Sequence, residues 1–222
     1  GGGGGGGPGR DMCRLSARPY HGRYLVLDTN VVLHQIDLLE KSCPALCDVV
    51  ILGTVLEEAK HRNLSAYNRL HALIRDPARR MVVFPNENFR DTFVERRVGE
   101  TPNDRNDRAI RVAVAWFARH MATMRARLAA ARARVRKRAR EDSGSEEEDD
   151  DDAGDDDGDV VAGSAPASGV LLLTNDAANR RLALASDIPA QTVHEYVRSV
   201  SAEFPELLDL LAAAPETPIV DD

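Results

Sequence analysis

Cysteine is scarce in this 222-residue chain: Cys13, Cys43 and Cys47 are too few and too irregularly spaced for a disulfide framework. No CxxC pair occurs, which removes the usual scaffold of a structural zinc site and leaves buried thiols of a reducing compartment as the better reading. No apolar run approaches the ~20 residues that cross a bilayer as a helix, so no membrane role is expected. HExxH, GxSxG, a phosphate-binding loop and a GxGxxG turn are all missing, and with them the competing chemistries that those motifs carry. No small-molecule cofactor is expected. The six histidines are scattered, which speaks against a ribonuclease mechanism built on imidazoles.

Two segments lack what a core needs. Residues 1–9 are glycine but for one proline, and residues 141–159 hold thirteen Asp or Glu and no Lys or Arg. Both compositions favour solvated, disordered chain. The expected organisation is a disordered glycine-rich N-terminus over 1–19, one domain over 20–213 interrupted by a disordered basic and acidic insertion at 137–168, and a tail over 214–222. The acidic run also masks the charge of the rest. The whole chain carries −7, but without residues 141–159 the balance is 29 basic against 23 acidic side chains, or +6. A basic body suits a polyanion such as nucleic acid, although solubility alone would also explain it.

What is present is an alternation of short apolar runs and amphipathic stretches. Strands are expected at Tyr24 to Leu27, Asp48 to Leu52, Met81 to Phe84 and Val170 to Leu173, with a short fifth between Ile188 and Val193. Helices are expected from Asn30 to Glu40, from Thr54 onward, from about Asn103 and from Ala177 to Ala185, with helical pieces from His194. In the Asn103 helix, Ile110, Val114, Phe117, Met121, Met124 and Leu128 recur in steps of four and three, a core-facing stripe. Its far end, Arg125 to Arg140, holds eight Arg or Lys, which reads first as a solvated helix end and otherwise as an RNA-contacting face or an import signal. Such alternation implies an α/β fold, a three-layer α/β/α sandwich around a mostly parallel sheet, whose ligands bind beyond the carboxyl ends of the strands.

Carboxylates recur at that edge. Asp28 directly follows the first strand, and Asp176 follows the fourth through Thr174-Asn175; as single residues, both also read as helix N-caps. Thr54 and Glu57 match a capping box, which leaves the neighbouring Glu58 without a structural task, one turn into the helix after the second strand. Asp104 and Asp107 share a face of the first turn of the long helix, where acids are also favoured by the helix dipole. Clustered carboxylates resist ionising together, and divalent cations remove that cost. Four of them balance two Mg²⁺ or Mn²⁺ ions in charge, and hard oxygen donors suit those metals.

Laid end to end, these segments resemble the PIN family of nucleases, and within it the PIN domain of the eukaryotic RNA exosome's catalytic, ribonuclease II-type subunit. The resemblance is carried by Tyr24 to Glu40 (YLVLDTNVVLHQIDLLE), Thr54 to Asn63, Phe93-Val94-Glu95-Arg96, Asn103 to Val112 (NDRNDRAIRV), Leu173-Thr174-Asn175-Asp176 and Ile188-Pro189-Ala190. It implies a PIN-like sandwich and endonucleolytic cleavage of single-stranded RNA with Mn²⁺ or Mg²⁺, two ions in all. It assigns the metal-binding and catalytic acids to Asp28, Glu58, Asp107 and Asp176, with Thr29, Asn30 and Asn175 orienting them and Asp104 as a supporting acid. It further implies exosome core subunits as partners, and rRNA processing and RNA decay in the nucleus and nucleolus, with the cytoplasm as a second location. The exonuclease activity of the full-length subunit is not carried over, because the likeness covers the PIN segment alone. The alternative is an exosome-tethering or RNA-binding module with weak or no nuclease activity.

Overall fold

The structure, a computed structural model, describes residues 14–16, 19–142 and 169–211. Of the disordered segments expected at 1–19 and 137–168, residues 1–13, 17–18 and 143–168 lie outside the described residues, as does the tail at 214–222.

Five strands, β1 (Tyr24–Leu27), β2 (Val49–Leu52), β3 (Met81–Phe84), β4 (Val170–Leu173) and β5 (Ala190–Gln191), form one sheet in the order β3-β2-β1-β4-β5. Every pairing is parallel. Runs such as YLVL, VVIL and VLLL are buried along their whole length, as a parallel sheet covered on both faces requires. The helices are α1 (Thr29–His34), α2 (Ile36–Glu40), α3 (Gly53–Arg62), α4 (Leu64–Arg75), α5 (Pro102–Asp142), α6 (Ala177–Leu184) and α7 (Val193–Val200). Side chains alternate across a strand, and β1 displays the two covering layers. The Tyr24 ring meets Phe117 of α5 edge-on at 6.1 Å, whereas Leu25 lines a small cavity with Tyr196 of α7. The α/β/α sandwich expected from the sequence is the fold observed. Among the described residues, no helix is long and apolar enough to cross a membrane, and Cys43 and Cys47 are free and buried.

Several boundaries differ from the sequence-based expectation. The Asn30–Glu40 helix is two, α1 and α2, because Gln35 leaves helical dihedrals (φ −125°, ψ 25°). Its N–H still reaches Val31 O and its carbonyl still accepts from Leu39, so the ladder bends without losing those bonds. Helix α4 was not anticipated. Asn63 ends α3 and caps α4 at once, its side chain accepting the Ala66 N–H at 3.0 Å, so one residue joins two helices with no loop between them. Helix α5 continues to Asp142, past position 137 where the insertion was expected to begin. The fifth strand shrinks to two residues, because Thr192 already caps α7.

The strand order matters for function. From β1 the chain steps outward to β2 and β3, then returns to lay β4 and β5 on the other side of β1. The order therefore reverses between β1 and β4, and in open parallel sheets the crevice at the carboxyl end of such a reversal is where ligands bind.

Candidate active site

Asp28 sits in that crevice. It is 2% exposed and caps α1, its Oδ1 accepting the Thr29 N–H at 2.6 Å. Its Oδ2 accepts from Thr174 Oγ1 at 2.5 Å and from Asn179 Nδ2 at 3.3 Å, both delivered by the chain that follows β4. Burial pushes the Asp28 carboxyl above its ordinary value; bonds from Thr174, Asn179 and Thr29 pull it back, and the Asp176 charge raises it further. Asp176 stands across the crevice as the cap of α6. Its Oδ1 accepts the Asn179 N–H at 2.7 Å and its own N–H donates to Thr174 Oγ1 at 3.1 Å. Thr174 thus ties the two aspartates together.

Glu58 comes from α3. Its Oε2 accepts from Thr29 Oγ1 at 3.0 Å and from Asn106 Nδ2 at 3.2 Å, and its Oε1 pairs with Arg62 at 3.2 Å. Glu57, one residue earlier, is exposed. The capping box expected of Thr54 and Glu57 does not form. The Thr54 N–H is taken by Asn86 Oδ1 at 3.1 Å and its hydroxyl donates to Glu87 at 2.5 Å. The cause is tertiary: the Pro85–Asn86 backbone comes so close that a Cβ at Gly53 would lie 3.3 Å from the Pro85 Cα. A fully buried Asn86 then replaces the local cap.

Asp107 lies on the second turn of α5, with Asn103 Nδ2 3.3 Å from its Oδ2. Its carboxyl is pushed up to about 7, first by burial, then by the charges of Asp28 and Asp176 and, more weakly, Glu58; Arg111 opposes the rise. The four acids therefore share one electrostatic neighbourhood although they come from four elements. Burial holds the Arg111 guanidinium below its usual value despite the Asp107, Asp176 and Asp28 charges, and Arg111 also donates to Asn179 Oδ1 at 2.6 Å.

The supporting residues divide. Thr29 touches both Asp28 and Glu58, as an orienting residue should. Among the described hydrogen bonds, none joins Asn30 to an acid of the group. Asn175 turns away, its Oδ1 accepting the Val193 N–H at 3.1 Å, so it anchors α7 and does not orient a carboxylate. Asp104 is exposed, and its Oδ2 accepts from the Thr101 hydroxyl at 2.6 Å, so it closes the first turn of α5 and does not support the cluster. The sequence reading missed Thr174 and Asn179 as partners of Asp28, Asn106 as a partner of Glu58, and Arg111 as the cation inside the acidic group. Two of these, Asn106 and Arg111, lie within the NDRNDRAIRV segment, and Asn179 sits three residues after Asp176 on the same helix face, which is the available signal.

The donor set consists of carboxylate oxygens from four elements, which fits Mg²⁺ or Mn²⁺ and not a thiophilic metal. Among the described residues, however, no three acidic, His or Cys side chains already stand at ligating distance from one point. Mutual repulsion of the kind that raises Asp107 opposes such closeness in an ion-free protein. Beside Glu58 a groove of about 620 Å³ opens, lined by the apolar Leu56, Val83 and Pro85 and by the polar Glu57, His61, Glu87, Arg105 and Asn106.

Comparison with known proteins gives one consistent result. A family described as PIN domain matches residues 25–194. Among curated relatives, the exosome complex exonuclease RRP44 homolog A of Arabidopsis thaliana is 40% identical over 197 residues, covering 89% of this chain and 16% of that protein. The human exosome complex exonuclease RRP44 is 37% identical over 193 residues, covering 87% of this chain and 16% of its own length. The exosome complex exonuclease dis3 of Schizosaccharomyces pombe is 33% identical over 190 residues, covering 86% and 15%. The chain thus spans about one sixth of the length of these relatives. Among solved structures, the RRP44 PIN domain of T. brucei superposes with a TM-score of 0.56 at 22% identity, covering 85% of this chain and 84% of that one, a likeness of fold.

Proposed function

The chain belongs to the PIN domain family, and from that premise we propose that it is a divalent-metal-dependent endoribonuclease that cuts single-stranded RNA at the carboxylate edge between β1 and β4. The observation that carries the proposal is Asp107, whose carboxyl is raised to about 7 by burial together with Asp28, Asp176 and Glu58. Bringing four acids together at a sheet edge carries an electrostatic cost, visible in the raised Asp107 carboxyl, that bound cations would offset.

Asp28, Glu58, Asp107 and Asp176 would hold two Mn²⁺ or Mg²⁺ ions, which when bound supply an activated water and stabilise the leaving oxygen of the phosphodiester. The rest is the work of the chain. Thr174 and Asn179 hold Asp28 Oδ2, Thr29 and Asn106 hold Glu58 Oε2, and the Asn179 N–H holds Asp176 Oδ1. Three of the four carboxylates, those of Asp28, Glu58 and Asp176, are therefore oriented before an ion arrives, which lowers the ordering cost of binding. Arg111 offsets part of the negative charge where a phosphate must approach. The groove beside Glu58 offers apolar walls to a base and polar groups to its edge.

The relatives' designation as exosome complex exonucleases supports docking onto exosome core subunits; the proposed setting that follows from such docking is rRNA processing and RNA decay in the nucleus and nucleolus, with the cytoplasm as a second location. A circular single-stranded RNA, which offers no ends, should be cut in Mn²⁺ and spared in EDTA, and Asp107→Asn should abolish the cutting. Unchanged cutting by that variant would refute the assignment. One observation favours a second reading, a tethering or RNA-binding module with weak nuclease activity: no three acids stand at ligating distance from one point among the described residues. Co-purification of the Asp107→Asn protein with exosome core subunits, joined to absence of cutting by the unmodified protein, would select it.

A further inference from the structure

On the flank of α5 turned away from the acids, aromatic rings stack in an unbroken row. Phe89 lies on Phe84 with centroids 5.3 Å apart and planes 20° apart, Phe84 on Trp116 at 5.0 Å and 8°, and Trp116 on His120 at 4.9 Å and 9°. The row passes through the core, since Phe84 is 1% exposed, and ends in solvent, since His120 is exposed. Trp116 is nine residues beyond Asp107 on one helix, hence on its opposite side and about 13 Å further along.

His120 and Trp116 form the ring wall of a cleft of about 580 Å³ that Arg119 and Arg127 complete, with Asp91 the one acid in its lining. The same helix face continues the pattern. Trp116, His120, Arg127, Arg134 and Arg138 recur in steps of four and seven, which keeps them in line. His120, Arg127, Arg134 and Arg138 are exposed, and the sequence from Arg119 to Arg140 holds no acid. The line from His120 to Arg138 is about 27 Å long.

Arginines alone would suit any polyanion, and an exposed ring alone would suit any apolar group. A chain of regularly spaced negative charges that also carries flat, unpaired π-faces is a single-stranded nucleic acid. A duplex buries those faces, and an acidic polypeptide lacks them. We propose that this flank of α5 is a track for single-stranded RNA, on which one unstacked base extends the ring row from His120 and the following phosphates lie along Arg127, Arg134 and Arg138. The track is separate from the acid cluster; it rests on the nuclease reading only in the choice of RNA over DNA.

Trp116 is the sole tryptophan of the chain, so its fluorescence reports this site alone. In EDTA, where cleavage is not expected, titration with a twelve-nucleotide oligoadenylate should quench Trp116 to saturation. His120→Ala should weaken binding about tenfold, the effect of one lost base stack. Arg127→Gln should reduce the slope of log affinity against log salt by ~0.7. An abasic oligonucleotide of the same length should bind more weakly, and poly-glutamate should bind without quenching. The proposal is overturned if RNA binds with Trp116 unquenched, if His120→Ala binds like the unmodified protein, or if poly-glutamate or the abasic strand matches RNA. Tighter binding of the matching DNA strand overturns the choice of RNA. Because binding is read without turnover, failure to cut circular RNA leaves the result intact.

Discussion

Asp107→Asn should stabilise the ion-free protein at neutral and alkaline pH while removing its activity. In the folded chain the Asp107 carboxyl is raised from its ordinary 3.8 to about 7. A proton held more tightly in the folded than in the unfolded state gives stability that is complete below pH 3.8 and is lost as pH rises through about 7. The ion-free protein should therefore weaken across that window. The raised affinity sets a ceiling of about 4 kcal/mol. Asp107 is only partly buried and Arg111 opposes the repulsion, so we expect ~1–2 kcal/mol after screening, or about 2–8 °C in Tm for a domain of this size. The amide keeps the shape and removes the charge, so the variant should not share the pH-dependent loss. Thermal denaturation in EDTA of both proteins should show the variant melting higher at pH 8 and the gap closing towards pH 4. Adding Mn²⁺ should raise the melting point of the unmodified protein and move the variant far less. If the variant melts lower at pH 8, or if the gap is the same at every pH, Asp107 serves the fold and the argument fails.

Thr174→Val removes the hydroxyl that donates to Asp28 and accepts from the Asp176 N–H, and should lower cleavage at least tenfold and cost about 1–3 kcal/mol in chemical denaturation; Thr174→Ser should restore most of both, and a silent Thr174→Val would show that the bridge between the aspartates is dispensable. Glu58→Gln should abolish cutting of circular RNA while Glu57→Gln leaves it intact, and equal effects would contradict the difference in their surroundings. Arg105 holds Glu87 through both carboxylate oxygens, at 2.8 and 2.6 Å, and also the Val94 carbonyl; Arg105→Lys cannot reproduce that fork, so loss of ~1–3 kcal/mol and faster proteolysis within residues 89–101 are expected. Deleting residues 141–159, which carry thirteen acids and no base, should tighten RNA binding at low salt by removing a competing anion, and equal binding by the deleted and intact proteins would count against that role.

The fold was legible because its strands are short continuous apolar runs alternating with amphipathic helices, a pattern that suits a doubly covered parallel sheet, and each of the four longer strands lies within a residue of its expected bounds. Local capping was less legible. T-x-x-E occurs both at Thr54 and at Thr192. At Thr192 both halves of the box form, with Glu195 N–H on the Thr192 hydroxyl at 3.0 Å and Glu195 on the Thr192 N–H at 2.8 Å. At Thr54 a distant asparagine and glutamate take the same groups. Nothing in four residues distinguishes the two, because the difference lies in how near Pro85 and Asn86 come to Gly53. The resemblance points to Glu58, but the capping argument that agreed with it rests on a cap that does not form; what distinguishes Glu58 from Glu57 is Thr29 and Asn106, contributed from 29 and 48 residues away.

Asp28 and Asp176 do cap helices, and capping does not exclude the proposed ligand role. Each aspartate caps a helix that starts at the carboxyl edge, and each cap uses one oxygen, Oδ1, on a backbone N–H. That bond fixes the plane of the carboxylate at the positive end of a helix, where a negative charge is favoured. It leaves Oδ2 directed by other contacts, and in Asp28 Thr174 and Asn179 fix that oxygen as well. A cap at the reversal of strand order is thus compatible with the ligand role proposed for it. Asp107 differs: it caps nothing, contacts Asn103 within its own helix, and carries the electrostatic cost of the group in its raised carboxyl. Asp28 and Asp176 each cap a helix and Asp107 caps none, so Asp107 is where removal should separate stability from activity.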